Sequence, residues 1–159
     1  MVKYVKKSFE RINKMIIEKP EIKKYCSFYM SDFHLEMILV PYINQHFHEN
    51  ENVIISTQKN LKDSVNILMS KMNLNQKDKE RILELNWNNN QINNIEENVN
   101  VIIVGNKEFI NNENQKLENM KTKDVKVIDC YDFEEVKDDI NNIVKGYDKN
   151  LNTIGLNDL

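Results

Sequence analysis

All three histidines of the chain fall in one stretch, "SDFHLEMILVPYINQHFHEN" (31–50), beside acids and a proline. Imidazole next to carboxylate is the chemistry of metal ligation and of proton transfer. Helical geometry limits what these three can do together. At about 100° per residue, His34 and His46 stand about 120° apart around a helix, and His46 and His48 about 200°. His34 and His48 share a face but lie about 21 Å apart along the axis. No two of them can chelate one ion from the same helix. The i,i+4 spacing of HExxH is absent and no CxxC supplies a partner pair. No metal site is expected. His46 and His48 fall near the helix C-terminus, where the dipole favours a cation. His34, in the first turn after "SD", remains a candidate ligand contact.

A second place for chemistry is "VIDCYD" (127–132), where Asp129 and Asp132 flank Cys130. A following helix N-terminus would lower the thiol pKa, but two acids oppose thiolate formation. A small thiol filling a strand end is the simpler expectation, and Cys26 reads as core. Strand ends elsewhere supply Ser56, Thr57, Gly105 and Asn106. Phosphate machinery is missing: with three glycines the chain has neither GxxxxGK[ST] nor GxGxxG. "VIIVGNKEF" keeps the strand–Gly–helix order with one glycine only. The candidate ligand-binding set is therefore His34, Ser56, Thr57, Asn106, Asp129 and Cys130, with no catalytic residue assigned and no cofactor expected.

The elements that must position these residues alternate along the chain. Strands are expected at 25–30, 52–57, 99–105 and 125–131, rich in Val and Ile. "ILELNW" (82–87) is ambiguous between strand and helix end. Helix patterns occupy 32–48, 60–73, 76–83, 107–121 and 133–146. Asn60, Asn75, Asn106 and Asp132 stand where N-caps belong. Pro41 either kinks the helix that contains it or divides that helix in two. Continuous apolar strands between helices predict a three-layer α/β fold, its sheet mainly parallel with helices on both faces, RecA-like or more generally Rossmann-like. Ligands in such folds gather at the carboxyl ends of the strands.

With 159 residues, 40% apolar and 30% charged, the chain reads as one globular domain over 1–159. It contains no alanine and only two arginines, a bias that implies an AT-rich genome and weakens any argument from Asn or Lys abundance. The Asn-rich segment 88–98 is expected to be a loop. Net charge of −3 argues against a dedicated nucleic-acid binder. Charge is uneven: residues 1–30 carry eight Lys/Arg against three Glu, and residues 129–159 three Lys against eight acids. These ends could pair within or between subunits. Residues 1–19 form an amphipathic basic helix pattern, with no apolar run long enough for a signal peptide or a membrane span. Two cysteines make no disulfide framework, so a cytoplasmic location is expected.

Within "YCSFYMSDFHLEMILVPYINQHFHENENVIIST", the residues Phe28, Tyr29, Leu39, Val40, Pro41, Tyr42, Ile43, Glu51, Val53, Ile55, Ser56 and Thr57 carry a family pattern. The pattern resembles the opening of the MEDS domain, the sensory domain of methanogen and methylotroph regulators, over roughly residues 25–75. The resemblance implies a RecA-like core without a working phosphate loop, and a role in signal sensing. Two features depart from it: "HFHEN" stands where the family often has Gly, and the family's histidine before the first strand has no counterpart near Lys23 or Lys24.

The reading that follows is a non-catalytic sensor or adaptor domain, acting through another protein, self-association or a small ligand. The alternative is a small enzyme or an anion- or nucleotide-binding protein that uses the strand-end residues.

Overall fold

The computed structural model describes residues 22–121 and 124–159. The expected N-terminal helix at 1–19 lies outside the described residues. Six strands form one mixed sheet: β1 Ile22–Tyr29, β2 Asn52–Thr57, β3 Val99–Val104, β4 Val125–Asp132, β5 Lys149–Asn152 and β6 Gly155–Asp158. Their order is β2-β3-β4-β1-β5-β6. All neighbours pair in parallel except β5 and β6, which form an antiparallel hairpin. The four expected strands are present within a few residues of their predicted limits. The hairpin had no expectation, since "KNLNTIGLND" has only scattered apolar residues and no clean alternation.

Among the described residues six α-helices accompany the sheet: α1 Asp32–His48, α2 Lys62–Lys71, α3 Gln76–Leu83, α4 Lys107–Met120, α5 Phe133–Val136 and α6 Ile140–Ile143. α1 runs uninterrupted through Pro41, so the proline does not divide it. "ILELNW" resolves as the end of α3 and a turn. The helix pattern at 133–146 is broken into α5, α6 and a 3₁₀ turn at Val144–Gly146. At that break Asp139 is ion-paired with Lys107 across the fold.

Strand side chains alternate between faces with period two, and the core divides accordingly. Tyr25, Tyr29, Val53, Ile55, Ile102, Val104, Ile128 and Cys130 join one buried cluster with side chains of α1, α2 and α3. Cys26, Val99, Val101, Ile103, Val125, Val127 and Tyr131 join a second with Ile110 and Leu117 of α4 and Val136 of α5. The interior strand β3 is buried along its whole length, which accounts for an apolar run broken by Asn100 alone.

The Asn-rich segment is a loop held at specific points. Asn90 forms a two-bond bridge with Thr57, N to O at 2.9 Å in both directions, and its side chain donates to Ile55 O at 2.8 Å. Ile92 is buried in the second cluster. The asparagine side chain thus satisfies part of the outer edge of β2, a use unrelated to codon bias.

Candidate functional site

The predicted site residues sit at or near the carboxyl ends of the strands, and the structure divides them. Asp129 pairs in register with Cys26 of β1 and with Ile103 of β3. Cys130, the next residue, points to the opposite face and joins the other core cluster. Burial holds the Cys130 thiol well above its ordinary pKa, and the Asp129 charge adds to this. Cys26 is likewise pushed up to about 11 by burial, followed by the Asp129 charge. Neither thiol is poised as a thiolate.

Each remaining candidate is held by a near neighbour. Ser56 donates to Glu113 Oε2 of α4 at 2.8 Å. Thr57 Oγ1 closes a small turn with the backbone of Lys59. Asn106 caps α4, its Oδ1 accepting from Phe109 N at 2.8 Å. A side chain at Gly105 just before it would force its neighbours to shift, because a Cβ would lie 2.5 Å from the Phe109 ring and 2.9 Å from Gln58 Oε1. His34 Nδ1 accepts from Met30 N at 2.9 Å, and His34 N donates to the N-cap Ser31 Oγ. In the neutral ring this fixes the proton on Nε2. The first turn of α1 already holds a carboxylate, Asp32, paired with Lys59 Nζ at 2.7 Å. An anion brought to that helix end would meet a charge of its own sign.

One predicted residue leads to a cleft. Asp129 is fully buried, and its two oxygens accept from Asn114 Nδ2 at 3.0 and 3.1 Å. Tyr147 OH donates to Asp129 Oδ2 at 2.5 Å. Since a phenol has one proton to donate, the Tyr147 oxygen then accepts from Tyr131 OH, also at 2.5 Å. Lys24 Nζ stands 4.0 Å from Asp129 and 5.5 Å over the Tyr147 ring. Burial raises the Asp129 pKa, opposed by the hydrogen bonds from Tyr147 and Asn114 and by the Lys24 charge. Burial also pushes Tyr131 up to about 12. Tyr147 lies higher still, through burial and then the Asp129 charge. Both phenols therefore remain protonated donors through the physiological range.

This hydrogen-bonded row ends in a surface cleft of ≈ 260 Å³ lined by Lys24, Lys107, Asn111, Tyr131, Asp139 and Tyr147 among others. Sequence reading found Asp129 but missed its partners. Tyr147 lies 18 positions away in an acidic tail with no motif around it, and no local spacing pairs the two. Both phenol protons are committed within the row, so what the cleft offers a small polar or anionic ligand is the ammonium groups of Lys24 and of Lys107, the latter paired with Asp139.

An α/β chain with a six-stranded, mostly parallel sheet is the class that this geometry defines. No family model matches the chain, and no curated protein or solved structure matches it. Among the described residues no helix is long and apolar enough to cross a membrane.

Proposed function

We infer that the chain is a non-catalytic sensor or adaptor domain whose ligand is a small anion held in the Lys24–Lys107–Tyr131–Tyr147 cleft. The observation that carries this reading is the row from buried Asp129 through Tyr147 to Tyr131, which couples the interior of the sheet to that cleft. The cleft lies on the β1–β4 pair. The helix after β1 packs into one cluster and the helix after β4 into the other. The cleft spans the face of that pair, from Lys24 in the amino half of β1 to Tyr131 near the carboxyl end of β4.

The reading includes the three-layer, RecA-like or Rossmann-like arrangement, supported by two core clusters fed by different helices. The resemblance of residues 25–75 to the MEDS sensory domain points the same way. Partner contacts are offered by the exposed apolar side chains Met30, Phe33 and Met37 at and just before the first turns of α1. Two buried free thiols fit a reducing, cytoplasmic setting.

A thermal-shift panel of small carboxylates, phosphates and nucleotides tests the proposal. At least one anion is expected to raise Tm, and Lys24→Met with Lys107→Met is expected to abolish that rise. A ligand response that survives both substitutions, or turnover of any panel member, overturns it.

A further inference from the structure

The C-terminus of α1 builds a different site from residues that the histidine spacing alone excludes. α1 ends in a Schellman motif. Glu51 N donates to His46 O at 3.0 Å and Asn50 N to Phe47 O at 3.1 Å, with Asn50 left-handed at φ 60°. This reversal carries the chain back along the helix. Glu51 thereby returns to the side of His46, five positions earlier. Its Oε2 lies 2.7 Å from His46 Nδ1, and Glu49 Oε2 lies 3.6 Å from the same nitrogen. The three ligand atoms all fall within 4.8 Å of one another.

We propose that His46, Glu49 and Glu51 bind one first-row divalent metal ion, with Zn²⁺ the best fit. One imidazole and two carboxylates form a donor set suited to such ions. Bonds of about 2.1 Å in tetrahedral geometry need ligand atoms about 3.4 Å apart. The His46–Glu51 contact must therefore open by several tenths of an ångström, while Glu49 is already near that spacing. Glu49 is exposed and Glu51 half-buried, so the fourth position faces water.

The surroundings orient the ligands as metal sites require. Asn100 Nδ2 donates to Glu51 Oε2 at 2.7 Å, and Asn100 Oδ1 accepts from Tyr42 OH at 2.8 Å. The Tyr42 ring packs on the His46 imidazole, centroids 4.1 Å apart, and His46 is 7% exposed. Tyr42, Asn100, Glu51 and His46 thus close a ring of contacts that fixes two of the three ligands before any ion arrives. Lys126 Nζ stands 3.7 Å from Glu51, but on Oε1, the oxygen turned away from His46. The site lies at the amino ends of β2 and β3, on the α1 side of the sheet, and its test does not depend on the anion cleft.

The test titrates tag-free, chelator-treated full chain with Zn²⁺ against a competing indicator dye, with Tm read in parallel. One equivalent is expected to bind with a rise in Tm. Glu49→Gln, an exposed change that leaves the fold intact, and Glu51→Gln are each expected to weaken binding at least about tenfold. His48→Gln serves as the control: among the described residues His48 pairs only with Asp78, and its loss is expected to leave the affinity unchanged. Absence of stoichiometric binding overturns the proposal. So does an affinity indifferent to Glu49→Gln and Glu51→Gln, or one lost with His48→Gln.

Discussion

Two glutamates, Glu113 on α4 and Glu36 on α1, are both buried against the same sheet, and their surroundings are opposite. Glu113 accepts from Ser56 Oγ at 2.8 Å, from Ile92 N at 2.8 Å and from Lys116 Nζ at 2.7 Å. It ties a helix, the end of β2 and the Asn-rich loop to one carboxylate. Glu36 has no hydrogen-bond partner for either oxygen among the described residues. Burial, followed by the Asp32 charge, pushes its pKa from an ordinary 4.5 to about 7. A buried acid with three donors organises a fold, whereas one with none makes the fold depend on pH.

The largest effect is expected from removing the satisfied acid. Glu113→Ala removes all three contacts and strands the buried Ile92 N–H, while Ser56 Oγ keeps the Asn90 carbonyl at 3.2 Å, and it should cost about 4 kcal/mol in chemical denaturation. A loss under about 1 kcal/mol would show that the three contacts are interchangeable with water.

Glu36→Gln should act in the other direction. Between pH 4.5 and about 7 the folded carboxyl keeps a proton that the unfolded one has released. Stability from this group is therefore complete below about 4.5, falls as pH rises to about 7, and stays low above. The variant removes that fall, so its advantage over the parent should reach at most about 3 kcal/mol at pH 8. Denaturation curves at pH 5 and pH 8 measure this, and an advantage that is the same at both would contradict the assigned cause.

The smallest effect belongs to a residue that only caps. Asn106→Ala should cost about 1 kcal/mol. It should leave the anion and metal responses unchanged, because among the described residues its side chain serves Phe109 N alone. Urea denaturation of the variant checks the first part, and the ligand titrations the second.

Much of the local structure was legible in the sequence. Asn75 and Asn106 cap as their positions imply, accepting at 2.8 Å from Asp78 N and Phe109 N. Asp132 caps one residue earlier than a capping box would have it, accepting from Glu134 N. Asn60 accepts from Lys62 N but leaves the cap position to Leu61. The separation of Asp129 from Cys130 could have been read directly, because adjacent residues of any strand face opposite sides. The His46–Glu49–Glu51 group was also within reach. A left-handed Asn after a helix end is a recognised stop, and "HFHENE" places one acid before it and one after.

Other parts of the site were beyond sequence reading. The bonds from Ser56 to Glu113 and from Tyr147 to Asp129 span 57 and 18 positions. They exist only because the strand order seats α4 and the acidic tail over particular strands. The chain by itself determined where β1 to β4 and the helices α1 to α4 lie, since caps, φ/ψ preferences and apolar periodicity act within a few residues. Tertiary structure alone decided which buried acid found donors and which found none. That depends on the side chains other elements bring to the same face, and no local spacing encodes it.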